Sequence, residues 1–226
     1  QPEGVHGPSQ IINPRAFPWT DQNWTGIDKR DLVIYELHIG AFTQAGDFQA
    51  ATAQLPELSA LGVTAVEVMP VAQTPGQWNW GYDGVNLFAV RNTYGAPDDF
   101  KHFIDACHAA GMAVILDVVY NHVGPEGNYL SEFGPYASTK HHTPWGDAFN
   151  YDEPGSAAVR QFVIDNALFW LQEYHLDGLR LDAAHFIKDD SCPAIVDELR
   201  RDVSRFAETI DRTIHLIAET NVFDQE

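Results

Sequence analysis

Cations are scarce in this sequence: 13 Lys and Arg stand against 32 Asp and Glu in 226 residues, a formal net charge of -19. No stretch gathers Lys or Arg, so a phosphate backbone or an anionic membrane surface would be repelled, which argues against nucleic-acid and membrane partners. Cysteine is scarcer still. Cys107 and Cys192 are the only two; they lack the spacing of a zinc site and make no disulfide framework, so a reducing, cytoplasmic setting is expected. No apolar run approaches the ~18 residues of a membrane span, and no charged-then-apolar leader opens the sequence. What is present is a chain of 45% hydrophobic content, ample for one sizeable core.

Residues 1–30 are a Pro-containing, non-periodic lead-in and read as an interdomain linker. From Leu32 onward, short β-branched runs alternate with longer helical stretches, the pattern of βαβ units around a parallel sheet. The expected strands are "LVIYELHIGAF", "VTAVEVMPV", "MAVILDVVY", "GLRLD" and "IHLIAET". Asp47 is a good N-cap for the first helix, Gly62 its stop, and Pro56 should bend or split it. "APDDFKHFIDACHAAG" opens with Pro97 at the first helical position and closes on Gly111. Ser156 is expected to cap a helix running to about Tyr174, and Ser191 with Pro193 to start the next. Between them, residues 121–155 form a long irregular segment rich in Gly, Pro, aromatics and His, a length that usually signals function.

The run "GLRLDAAH", Gly178 to His185, holds a contradiction for a buried strand, because it carries Arg180 and Asp182. Side chains alternate across a strand, so this pair shares one face while Leu179 and Leu181 share the other. Three of the strands finish on a carboxylate: Asp117, Asp182 and Glu219. In parallel α/β folds the C-terminal strand ends line the reaction site. A buried carboxylate needs a partner, and Arg180 is on the correct face to pair with Asp182, Asp117 or both. Two nearby carboxylates suit glycoside cleavage, which needs one ionised nucleophile and one proton donor. Asp182 beside Arg180 suits the first role. Glu219, with no adjacent cation in sequence, suits the second. Glu36, His38 and Glu67 read as hydrogen-bonded polar groups of the core.

"DVVYNH", "GLRLDAAH" and "AET" resemble three signature regions of the α-amylase superfamily of glycoside hydrolases, in order. The longer context, "YELHIGAFT", "VEVMPVA", "WNWGYDGV", "YNHVGPEGNYL", "FGPY" and "TPWG", resembles the maltooligosyltrehalose trehalohydrolases within it. The resemblance implies a (β/α)8 TIM barrel, present here as about five strands and four crossover helices over 31–226. It implies Asp182 as nucleophile, Glu219 as general acid/base and Arg180 as the cation orienting Asp182. Asp117 and His122 would contact the sugar just before the cleaved bond, Tyr82 would stack on it, and His185 would reach the leaving side. Trp145, in the "TPWG" loop, is a candidate platform under the leaving sugars.

The implied reaction is retaining hydrolysis of an α-1,4-glucan, releasing trehalose from maltooligosyltrehalose, without a cofactor. The superfamily's third acid follows a His after a seventh strand, beyond this chain's five. The remainder of the barrel is therefore expected from further sequence, and the 226 residues alone are expected to be nearly inactive. Some motifs are shared with branching and debranching enzymes, which would pass the glycosyl unit to a sugar or cleave branch points. A noncatalytic glucan-binding barrel is the reading from another class. His141 and His142 with Asp147 read as polar surface, Asn121 assists calcium in some relatives, and no oxygen cage is complete, so no metal is assigned.

Overall fold

The computed structural model describes residues 2–221. In chain order its strands are β1 (Ile34–Leu37), β2 (Ala65–Val68), β3 (Ala72–Gln73), β4 (Asn86–Val90), β5 (Ala113–Val118), β6 (Ala137–Thr143), β7 (Gly146–Phe149), β8 (Gly178–Leu181) and β9 (His215–Ala218). The helices are α1 (Ile39–Phe42), α2 (Phe48–Thr52), α3 (Leu55–Ala60), α4 (Pro97–Ala109), α5 (Ser156–Glu173) and α6 (Ile195–Ile210). One five-stranded sheet has the order β1-β2-β5-β8-β9, and every pair in it is parallel. Two antiparallel hairpins, β3–β4 and β6–β7, stand apart from it. The fold is thus an open arc of a (β/α)8 barrel, with helical crossovers between successive strands.

Alternation sorts the sheet into two faces. Leu37, Val66, Val68, Val114, Leu116, Leu179 and Leu181 join the main core with residues of α2, α4, α5 and α6. The opposite, concave face is lined low down by Ala65, Ala113 and Ile115, against which Trp24, Ile27 and Leu32 of the lead-in pack. At the upper end of this face stand the charged side chains. Gly178 lets β8 approach β9, since a Cβ there would lie 2.7 Å from the His215 carbonyl oxygen.

The lead-in has no helix or strand before a 3-10 turn at Lys29–Asp31, yet it is tied down. Trp24 Nε1 donates to Asp177 Oδ1 at 2.7 Å. The buried His108 ring lies 2.9 Å from Asp21 through Nδ1 and 2.9 Å from Asp177 through Nε2. Both partners are carboxylates that can only accept when ionised, so both ring nitrogens donate and the ring is an imidazolium. Burial of the ring disfavours that charge, but the hydrogen bonds to Asp177 and Asp21 outweigh it and the His108 pKa is raised. Arg212 completes the network at 2.9 Å from Asp177.

Local signals behave largely as their chemistry dictates. Asp47 Oδ1 accepts from the Ala50 amide at 2.8 Å. Pro56, in the first turn of α3, accompanies the split of the first crossover into two helices, because its ring cannot follow a helical turn without losing a hydrogen bond. Four expectations change. The first strand stops at Leu37, and Ile39–Phe42 coils into a helical turn instead of extending. Ser156 is the first residue of α5, not its cap; Gly155, at φ 88°, takes that place. Neither Ser191 nor Pro193 starts α6, whose first amide, Ile195, is capped by Asp189 Oδ2 at 2.6 Å from a preceding loop. Residues 121–155 are not wholly irregular, since β6 and β7 form a hairpin among them.

Candidate active site

Arg180 centres the upper concave face. Its Nη1 lies 2.6 Å from Asp117 Oδ2 and 3.2 Å from Asp182 Oδ1, and its Nη2 lies 3.0 Å from Glu219 Oε2. Nε faces Glu67 Oε1 at 3.9 Å. One guanidinium therefore meets carboxylates from β2, β5 and the ends of β8 and β9, and its planar fork suits that task where a lysine could not reach all of them. Asp182 and Glu219 thus project into one cleft. Strand register explains it: Asp117 is directly opposite Arg180, and Arg180 opposite Ile217, so the acids two residues onward from Arg180 and Ile217 share the same face.

The surroundings separate the acids. Asp182 is also held by Asn121, whose Nδ2 donates to its backbone oxygen at 2.8 Å and to Oδ2 at 3.1 Å. Glu219 Oε2 accepts from the Ala183 amide at 2.7 Å, and its side chain is 46% exposed. The sequence sets no cation beside Glu219. The structure places Arg180 against it, because distance along the chain is not distance across a parallel sheet. Burial pushes the Asp117 carboxyl up, to about 7, against the pull of Arg180. Burial also raises Glu67, with Arg180 opposing and Glu36 and Glu219 adding repulsion.

Tyr82 donates from its hydroxyl to Asp117 Oδ2 at 3.1 Å, and burial raises its pKa. His122 follows β5, pairs with Ala148 of the hairpin and has its pKa lowered, first by burial. Its ring centroid is 5.7 Å from that of Trp145, which in turn meets Phe186 edge-on at 5.0 Å. His185 lies in the turn after β8, 4.5 Å from Phe186 between ring centroids. All eight residues named from the sequence therefore stand at one end of the sheet. Among the described residues, Asp117 Oδ1 and His185 Nδ1 are buried without a hydrogen-bond partner, as suits atoms that can meet a ligand's hydroxyls.

Comparison with known families matches the one described as "Alpha amylase, catalytic domain" over residues 11–156. This chain belongs to the α-amylase catalytic-domain family. Within that family it is 50% identical, over 99% of its length, to the malto-oligosyltrehalose trehalohydrolase of Saccharolobus solfataricus, of which it covers 39%. A solved structure from Salmonella typhimurium, given as an alpha amylase candidate, superposes with a TM-score of 0.90 at 48% identity, covering 96% of this chain and 36% of that one. A D470A pullulanase of Paenibacillus barengoltzii complexed with maltotetraose gives a TM-score of 0.79 at 25% identity, covering 96% and 40%. The chain spans about two fifths of these relatives' length.

Two residues of this α-amylase-family cleft do not stand out as such in the sequence. Asn121 reads there only as a calcium ligand, although its place four residues after Asp117 on the same strand end is a usable signal. Glu67 reads as core, but it belongs to the Arg180 cluster. Glu36, which also reads as core, is exposed on the concave side of the edge strand β1. The adjacent histidines part company: His142 faces Asp147 at 4.0 Å, while His141 binds Asp152 at 2.9 Å beside Asp190. Lys140 reaches both of those carboxylates, at 3.1 and 2.6 Å, and offsets part of their charge.

Proposed function

We propose that these residues carry the nucleophile and acid/base of a retaining α-glucan hydrolase, and that the full protein releases trehalose by cleaving the α-1,4 bond next to a trehalosyl end. The observation that carries the reading is the single Arg180 guanidinium shared by Asp182 and Glu219. Asp182, paired with Arg180 and Asn121, attacks the anomeric carbon and forms a glycosyl ester. Glu219 delivers a proton to the departing oxygen from Oε1, since Oε2 is engaged by Arg180 and the Ala183 amide. Glu219 then takes a proton from water as that water displaces Asp182, restoring both groups. Positive charge develops on the sugar in each transition state, and the carboxylates gathered around Arg180 favour it.

Asp117, Tyr82 and His122 would hold the sugar before the cleaved bond, and Trp145 and His185 the leaving side. A substrate with a trehalosyl end is supported by the near-complete alignment of this chain with the Saccharolobus solfataricus relative. Product analysis of the full-length protein on maltooligosyltrehalose tests the reading. Free trehalose, abolished by Asp182→Ala, is expected. New α-1,6 branches would indicate transfer to a sugar hydroxyl, and binding without turnover would indicate a noncatalytic barrel.

A further inference from the structure

The loop that carries Tyr82 also carries two indoles, Trp78 and Trp80, that the cleft described above does not use. Trp78 is 90% exposed and Trp80 71% exposed. Neither stacks on another ring among the described residues. An exposed tryptophan usually reflects a floppy loop, but this loop is anchored. Between the two indoles, the Asn79 carbonyl accepts from the wholly buried Arg91 at 2.7 Å, and His38 Nε2 lies 3.1 Å from the same oxygen. The Asn79 side chain accepts from the Gly81 amide at 2.7 Å and donates to Asp83 at 2.8 Å. Gly81 sits at φ 105°, and a Cβ there would lie 2.2 Å from the Pro70 carbonyl oxygen, so the loop is seated directly on the end of β2. The backbone between the two exposed indoles is thereby fixed.

The same loop reaches the carboxylates two residues later, where Tyr82 meets Asp117. Trp80 thus stands two residues, and Trp78 four, from the side chain that touches Asp117. Indole faces pack against the apolar faces of pyranose rings, and a flat aromatic platform needs no net charge in its ligand. We propose that Trp78 and Trp80 form an outer subsite that holds the glucose units of an α-glucan chain remote from the bond cleaved. The inference rests on the glucan reading of the cleft but names a separate surface.

Binding of maltotriose and maltoheptaose to the full-length protein tests it, measured calorimetrically in an Asp182→Ala background, with wild-type turnover assayed alongside. Trp78→Ala and Trp80→Ala should weaken maltoheptaose about tenfold more than maltotriose, and Trp78→Phe should restore most of that difference. Equal weakening of both sugars, no weakening, or a fall in melting temperature without a chain-length effect overturns the subsite; the last would mean that other protein covers the indoles. A chain-length effect in a wild-type protein that hydrolyses neither sugar nor maltooligosyltrehalose overturns the hydrolase reading and leaves the subsite standing. Hydrolysis without the chain-length effect does the reverse.

Discussion

At the scale of single residues, Arg180 is where charge balance is decided. It touches Asp117, Asp182 and Glu219 through two terminal nitrogens, and a lysine ammonium on its flexible stem cannot reproduce that fork. Arg180→Lys should lower kcat/KM of the full protein by ~10²-fold through misplacement of Asp182 and Glu219. It should also lower the melting temperature, because Asp117 loses its 2.6 Å contact with the guanidinium. Steady-state kinetics and thermal melts read the two effects separately. Asp117 supplies a pH signature, since burial pushes its carboxyl up to about 7. Below that value it gains a proton and stops accepting from sugar hydroxyls as an anion. The kcat/KM profile should therefore fall on the acid side with a midpoint near 7, and Asp117→Asn should remove that midpoint while lowering activity. Alternation along a strand makes Arg180 and Asp182 legible as one face from the residues alone. The Arg180 contact with Glu219 is not legible in that way, because it joins neighbouring strands whose register no local pattern reports.

At the scale of elements, the β6–β7 hairpin positions Trp145, and Asp152 holds that hairpin. Asp152 Oδ2 accepts from His141 at 2.9 Å, from Lys140 at 3.1 Å and from the Asp190 amide at 2.9 Å, joining the hairpin to the loop after β8. Asp152→Ala should therefore speed amide exchange across residues 137–149 and raise KM several-fold while kcat changes less, since the nucleophile is untouched. Its stability effect should be about 1–3 kcal/mol, the loss of hydrogen bonds to a charged acceptor. Hydrogen exchange and kinetics together check this. Periodicity, Pro97 and Gly111 are enough to read the five sheet strands and the α4 boundaries. The hairpins escape such reading: β3 has only two residues, and β6, "ASTKHHT", lacks a continuous apolar face. The start of α6 is equally hidden, because its cap, Asp189, comes from a loop folded back by Arg160, which binds it at 2.6 Å.

At the scale of the whole molecule, the two ends of the sheet do different work. The C-terminal end gathers several carboxylates around one cation, while the N-terminal end is locked by Asp21, His108, Asp177 and Arg212 in a densely paired network. His108 has a raised pKa in the folded protein, so its contribution to stability is complete below the unfolded value of about 6.5 and fades as pH rises through the folded value. Asp21 and Asp177 are lowered, their hydrogen bonds to His108 overcoming burial, so theirs is lost only in strong acid. Melting temperature should decline above about pH 6.5, and His108→Asn should flatten that slope and destabilise by about 3 kcal/mol or more. Nothing in the lead-in's composition announces this lock, since a Pro-containing, aperiodic segment reads as a linker whether or not its Trp24 and Asp21 find buried partners. The account as a whole depends on Asp182 attacking the sugar that Glu219 releases from its neighbour. The most direct measurement is mass spectrometry of the full-length Glu219→Gln protein after reaction with an α-glucosyl fluoride, whose leaving group needs no acid. The account predicts a glycosyl adduct on the peptide that contains Asp182. Steady release of sugar with no adduct, or an adduct on any other residue, would contradict it.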